Sequence, residues 1–298
     1  MTLTLSEITT ADDLMACESL QTSVAGERSH QTLRRPILVS IQQSGGLILG
    51  AWETLPIGTR VLRGLLVDLH AHIDGFPARV TAVHLVSPEG RGRGIGTALR
   101  HREREILRDQ GVSLVVWMQD PLRSRACRMA LHTLGAIAVT YDRDVLGRLS
   151  DVLDAGLATD RLTMEWWLES PRVIGRLEGG APPIYEHVGL QEMSAATSSH
   201  PARSGIRILT KIDHQARSRY TLIEIPAELD DVRRIDPAAA RAWRVGTRET
   251  FEQLLGNGYV DSGFLHEGGR SFHLMEQENR GIILGRSGCP IPNERGAR

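Results

Sequence analysis

The sequence predicts an α/β fold with a smaller C-terminal α+β extension, on three observations. Strand-like and helix-like segments alternate through the first two-thirds of the 298 residues. A glycine-dense turn, Arg91 to Gly96, joins a strand-like run to an amphipathic helix. Composition then shifts near Gly179, and a Ser/Ala/Thr/Pro-rich stretch, Met193 to Gly205, follows. The expected organisation is a main domain over 1–178, a linker over 179–205, an α+β extension over 206–278 and a loose tail over 279–298.

The elements follow in order. Thr2 to Ile8 is a strand, and Thr10-Ala11-Asp12-Asp13 starts a helix reaching about Ala25. Gly46 to Glu53 and Val61 to His70 are strands joined across Pro56-Ile57-Gly58. Val80 to Val86 is the strand before the glycine turn. Ile95, Ala98, Leu99, Ile106 and Leu107 set the apolar stripe of the helix after it, which ends at Gly111. Val112 to Trp117 is a valine-rich strand, and Asp120-Pro121 supplies an N-cap and N1 proline for a helix to Leu134, closed by Gly135. A strand over Ala136 to Tyr141, a short helix over Leu149 to Ala155 and an alternating strand over Leu162 to Leu168 come next, stopped by Ser170-Pro171. In the extension, Tyr220 to Ile225 is a strand and Asp236-Pro237 opens a helix to about Leu255. Tyr259 to Leu265 and Ser271 to Met275 form a hairpin across Glu267-Gly268-Gly269.

Composition excludes several classes. With 35 basic and 36 acidic side chains, a net charge of −1 gives no reason to expect nucleic acid or an anionic membrane as partner. No apolar run approaches the ~20 residues of a membrane span. Cys17, Cys127 and Cys289 are odd in number, far apart and without a CxxC, which argues against a disulfide framework or a metal site and fits a reducing compartment. The start carries no basic segment followed by an apolar core, so a cytoplasmic protein is expected. A homo-oligomer stays open.

The glycine turn carries the chemistry. Glycines permit positive φ and close approach of the backbone, and a helix N-terminus directs free N–H groups and the positive dipole end at an anion. A phosphate cradle is expected. It is no Walker loop, because no GKS or GKT follows, and no dinucleotide fingerprint, because Gly92, Gly94 and Gly96 run GxGxG.

The spacing Arg91-x-x-Gly94-x-Gly96, preceded by Val86-Ser87-Pro88, resembles the acyl-CoA loop of the GNAT acyltransferase superfamily. Trp117, Asp120-Pro121-Leu122, Leu134-Gly135, Asp160-Arg161, Trp166 and Ser170-Pro171-Arg172-Val173 extend the likeness toward a GNAT subgroup with a C-terminal extension. The resemblance implies a mixed, mostly antiparallel sheet flanked by helices. It also implies acetyl-CoA or another acyl-CoA as cosubstrate, without a metal, held by Val86, Arg91, Gly92, Arg93, Gly94, Ile95, Gly96 and Thr97. A surface turn that is merely rich in glycine and arginine is the bland alternative.

Acyl transfer to an amine needs a proton acceptor, an oxyanion donor and a proton for the leaving thiolate. In the family a carboxylate on the strand before the loop is often the base; here His84 is that strand's only titratable group, either a base or a hydrogen-bonded core histidine. The family's acid is a helix tyrosine, where this chain has Leu131. Tyr141 is the nearest substitute, or a rim residue. Asp120 serves as an N-cap or faces substrate. Arg161, beside Asp160, and Arg172 suit a carboxylate-bearing substrate, or form ordinary ion pairs. Relatives carry an asparagine early in the helix after Asp-Pro-Leu, and Arg123 to Ala130 has none. The expected activity is transfer of an acyl group, most simply acetyl, from acyl-CoA to a small-molecule amine by direct attack in a ternary complex. The rivals are a non-catalytic acyl-CoA sensor and a nucleotide-binding oxidoreductase.

Overall fold

Local signals account for most elements of the computed structural model, which describes residues 2–26, 29, 32–147, 156–179, 193–215 and 218–285. These residues form two compact units, one running to Trp117 and the other from Met118 onward. The division lies well before the expected boundary at 178.

In the first unit the elements are β1 (Thr2–Glu7), α1 (Ala11–Ala25), α2 (Arg35–Gln43), β2 (Leu47–Thr54), β3 (Arg60–Ile73), β4 (Phe76–Val86), α3 (Ile95–Asp109) and β5 (Leu114–Gln119), whose last two residues pass the division. Thr10 caps α1 as its motif predicts, its hydroxyl accepting from Asp13 N–H at 3.2 Å. The helix α2 was not expected; Pro36 occupies its first turn, where a missing N–H costs nothing. Strands β1 to β4 pair in sequence, all antiparallel. The hairpin β3–β4 is longer than expected, turning at Asp74-Gly75, both with positive φ. The pairing of β4 with β5 is parallel and covers only Ala78–Val80 against Leu114–Val116.

One face of β2 and β3 buries Ile48, Trp52, Leu62, Leu65 and Val67 against Leu14, Cys17 and Leu20 of α1 and Leu38 and Ile41 of α2. Leu62 and Leu65 share that face only because a bulge intervenes. Ala51 pairs with Gly64 and Trp52 with Leu62, so Arg63 is the extra residue. On the other face α3 comes so close to Gly64 that an added Cβ would lie 2.7 Å from Ile95 Cγ2.

The second unit contains α4 (Ser124–Cys127), β6 (Ile137–Asp142), β7 (Arg161–Trp167), α5 (Pro171–Leu177), β8 (Met193–Ala195), β9 (Thr197–Pro201), β10 (Arg207–Ile212), β11 (Tyr220–Ile225), α6 (Leu229–Ile235), α7 (Pro237–Gly256), β12 (Val260–Glu267), β13 (Arg270–Glu276) and α8 (Arg280–Ile283). The expected helix up to Leu134 exists only in part: α4 is one turn, and Arg128–Thr133 continues it with the wider π spacing. Strands run in the order β7-β6-β12-β13-β11-β8, antiparallel except for β11 with β8. The sheet is thus mixed and mostly antiparallel within each unit, with helices packed on it, as expected.

Three expectations change. The extension is no separate unit, because its hairpin joins β6 through Asp261 opposite Ala138. The described part of the expected linker, 193–205, holds β8 and β9, and the expected tail holds α8. The expected helix over Leu149 to Ala155 lies outside the described residues.

Candidate functional site

The glycine turn is built as a cradle. Ser87 opens it, its N–H donating to the Arg63 carbonyl at 2.8 Å and its hydroxyl accepting from Gly90 N–H at 3.2 Å. Gly92 and Gly94 have φ of 73° and 75°, and an added Cβ at either would meet nothing within 4 Å, so backbone conformation alone requires glycine. Gly94 is the N-cap of α3, and no side chain caps that end. Among the described residues no loop or cap hydrogen bond takes up the N–H groups of Gly92, Arg93 or Gly94. Those of Ile95, Gly96 and Thr97 lie in the first turn, where helix geometry offers them no carbonyl. Six consecutive donors at the positive end of a fifteen-residue helix therefore suit a phosphate.

Side chains pin this loop from the sheet. Arg93 donates through Nη2 to Glu53 Oε1 at 2.7 Å, and Arg63 through Nε to Glu53 Oε2 at 2.8 Å. Arg63 also reaches Glu89 at 3.3 Å. The two guanidiniums hold the Glu53 carboxyl below the usual carboxylate range, Arg93 contributing most.

His84 projects from β4 with Nε2 at 3.1 Å from the Gly96 carbonyl. A carbonyl only accepts, so Nε2 carries a proton and donates it. Burial, then the charge of Arg100, lowers its pKa to about 3. Arg100 is itself buried, bonded to Thr81 at 2.9 Å and Glu103 at 2.8 Å, and lies over the Trp117 ring. The hydrogen bond fixes the tautomer and leaves Nδ1 as the acceptor of the ring where a base is expected. Its visible work is tying β4 to the first turn of α3.

Among the described residues β4 has a strand partner on one edge only beyond Val80, because its pairing with β5 stops there. Ser87 N–H faces β3, so by strand alternation the N–H groups of Val86 and His84 face the open edge. Donors there are free for a developing oxyanion.

In the second unit a different cluster gathers the remaining expected residues. Tyr141 donates its hydroxyl to Asp160 Oδ2 at 2.7 Å, and Arg248 grips the same carboxylate at 2.8 Å through both Nε and Nη2. Burial would raise the Asp160 pKa, but the Arg248 and Tyr141 hydrogen bonds hold it below the usual range. Burial and Asp160 both push the Tyr141 phenol well up. The proton expected to serve as the acid is thus engaged by Asp160.

Asp120 does not cap α4, because its carboxylate accepts from Leu122 N–H at 2.9 Å and from Arg244 Nη2 at 2.8 and 2.9 Å. Arg161 is buried and donates to the Asp160 carbonyl at 3.0 Å. Arg172 donates to the carbonyls of Gly135, at 2.8 Å, and Ser262. These contacts fit the structural alternative weighed for Asp120, Arg161 and Arg172. Sequence reasoning missed Glu53, Arg63, Arg244 and Arg248, none of which lies in a motif.

Among the described residues no helix is long and apolar enough to cross a membrane, and no group of three or more His, Cys, Asp or Glu could hold a metal.

No protein-family model and no curated protein matches the sequence. Among solved structures the chain is similar to the ribosomal-protein-S18-alanine N-acetyltransferase of Escherichia coli. Identity there is 17% over 56% of this chain and 94% of that chain, with a TM-score of 0.41. An N-acetyltransferase from Staphylococcus aureus Mu50 shows 13% identity over 57% of this chain and all of its own, at a TM-score of 0.46. A GNAT-family N-acetyltransferase from Escherichia coli in complex with CoA shows 19% identity over 40% of this chain and 63% of its own, at 0.33. The first two of these similarities, both to N-acetyltransferases, extend over somewhat more than half of this chain and leave the rest outside the match.

Proposed function

We propose that the protein is an acyl-CoA-dependent N-acyltransferase of the GNAT type, most simply an N-acetyltransferase acting on a small-molecule amine. The observation that carries this reading is the run of free N–H groups from Gly92 to Thr97 at the start of α3. These donors, with Arg91 and Arg93, would hold the pyrophosphate of acetyl-CoA or another acyl-CoA. Val86 would lie beside the thioester, with an N–H on the open edge of β4 donating to the carbonyl oxyanion.

The amine attacks the thioester carbon directly, the C–N bond forms and the C–S bond breaks. The amine proton leaves through water and the thiolate takes a proton from water, the Tyr141 hydroxyl being engaged with Asp160. That same commitment of Tyr141 supports a second reading, a protein that binds acyl-CoA without turnover.

Titrating acetyl-CoA, longer acyl-CoAs and NAD(P) in a thermal-shift assay tests the proposal. A ligand at about 100 times its Kd stabilises by about 2.7 kcal/mol, a rise of several degrees. A shift with acyl-CoA alone supports the loop assignment, and CoA release in an amine screen then separates enzyme from sensor. No shift with any acyl-CoA overturns both.

A further inference from the structure

We propose that Glu53 and Arg63 are positioning residues that pre-set the anion loop for its ligand, an inference that rests on the acyl-CoA reading of that loop. Arg63 is the extra residue of the β3 bulge, and a bulge turns a side chain away from regular alternation. That residue serves the loop three times. Its carbonyl accepts the Ser87 N–H, its Nη1 reaches Glu89, and its Nε binds Glu53. Glu53, at the end of β2 with its side chain only 3% exposed, places its second oxygen on Arg93. One carboxylate thus joins a bulge residue to the middle of a glycine loop.

Glycines at 92 and 94 leave the loop free to wander, since each adopts many conformations at little cost. The Glu53 link removes much of that freedom before any ligand arrives. It occupies only Nη2 of Arg93, and the side chain stays 41% exposed, so other guanidinium donors remain for a phosphate oxygen. Neither Glu53 nor Arg63 needs to touch the acyl group. The clamp should therefore act on cofactor affinity and leave the chemical step alone.

Glu53→Gln keeps the shape and removes the charge. It is expected to raise KM for acetyl-CoA about threefold to tenfold with kcat unchanged, the range for re-ordering one or two long side chains on binding. In the ligand-free protein it should speed hydrogen exchange of the 90–97 amides over wild type. Arg63→Gln, at a more exposed position, should do the same and serves if the buried variant folds poorly. Glu53→Gln combined with Arg93→Gln should raise KM no further than Arg93→Gln alone, because the two act through one contact. Unchanged exchange and unchanged KM overturn the proposal, as does a fall in kcat at constant KM. If no acyl-CoA binds the wild-type protein, the function reading fails, while the exchange experiment still decides the clamp.

Discussion

Three glycines of the first unit provide an internal control for the role of the loop. Gly92, Gly94 and Gly111 have φ of 73°, 75° and 71°, and a Cβ added at any of them would meet nothing within 4 Å. Alanine at each therefore carries backbone strain with no clash. Left-handed geometry costs an L-residue about 1–2 kcal/mol, and loss of unfolded-state freedom returns about 0.4–1 kcal/mol. All three variants should lose about 1 kcal/mol of stability, read as similar small decreases in Tm.

Affinity separates them. Gly111 closes the far end of α3, whereas relaxation at Gly92 or Gly94 re-aims N–H donors of the cradle. One charge-assisted hydrogen bond contributes about 1.5–3 kcal/mol, and 1.4 kcal/mol is tenfold. Gly94→Ala should therefore weaken acetyl-CoA binding at least tenfold by calorimetry, with Gly111→Ala at the wild-type value. Equal affinity losses at Gly94 and Gly111, or none at Gly94, would refute the cradle.

Other outcomes follow from the remaining contacts. Asp120→Asn should cost about 3–5 kcal/mol in urea unfolding, since it takes from the buried Arg244, whose Nε and Nη1 already lack hydrogen-bond partners, the carboxylate it is bonded to. Arg244→Met should cost less, because Asp120 keeps the Leu122 N–H and has Arg123 at 3.8 Å; the reverse order would contradict this picture. His84 has a folded pKa of about 3 against 6.5 unfolded, so its contribution is present above pH 6.5 and lost as pH falls toward 3. Stability should decline across that window with a slope of up to about 1.4 kcal/mol per pH unit, and His84→Gln should flatten the decline seen in unfolding at pH 7, 5.5 and 4.5. Tyr141→Phe should lose about 1–2 kcal/mol with its bond to Asp160 and leave the CoA-release rate unchanged. A large fall in kcat would return Tyr141 to the reaction.

The cradle was legible because its signal is local: glycine and arginine spacing within a few residues fixes both conformation and charge. The strand order around β2, β3 and β4 was legible for the same reason, through alternation and turns. What escaped depends on distant partners. Asp120 looks like a cap until Arg244, 124 residues later, takes its carboxylate. His84 looks like an unattached imidazole until the Gly96 carbonyl claims Nε2. Arg63 is one more strand residue until the register shows that β2 has nothing opposite it. The helix α2 is only nine residues long and sets Ile37, Leu38 and Val39 in a row, a short apolar run that fits strand and helix alike.

The pairing of Ala138 with Asp261 bears on how the chain matures. A ribosome must add more than a hundred residues after β6 before β12 exists to cover its edge. Until then β6 carries an uncovered row of backbone donors and acceptors, a surface on which nascent chains associate. Synthesis should accordingly yield a late-folding species whose solubility depends on the final hairpin. Chains arrested before Val260 are the ones expected to aggregate or to engage chaperones.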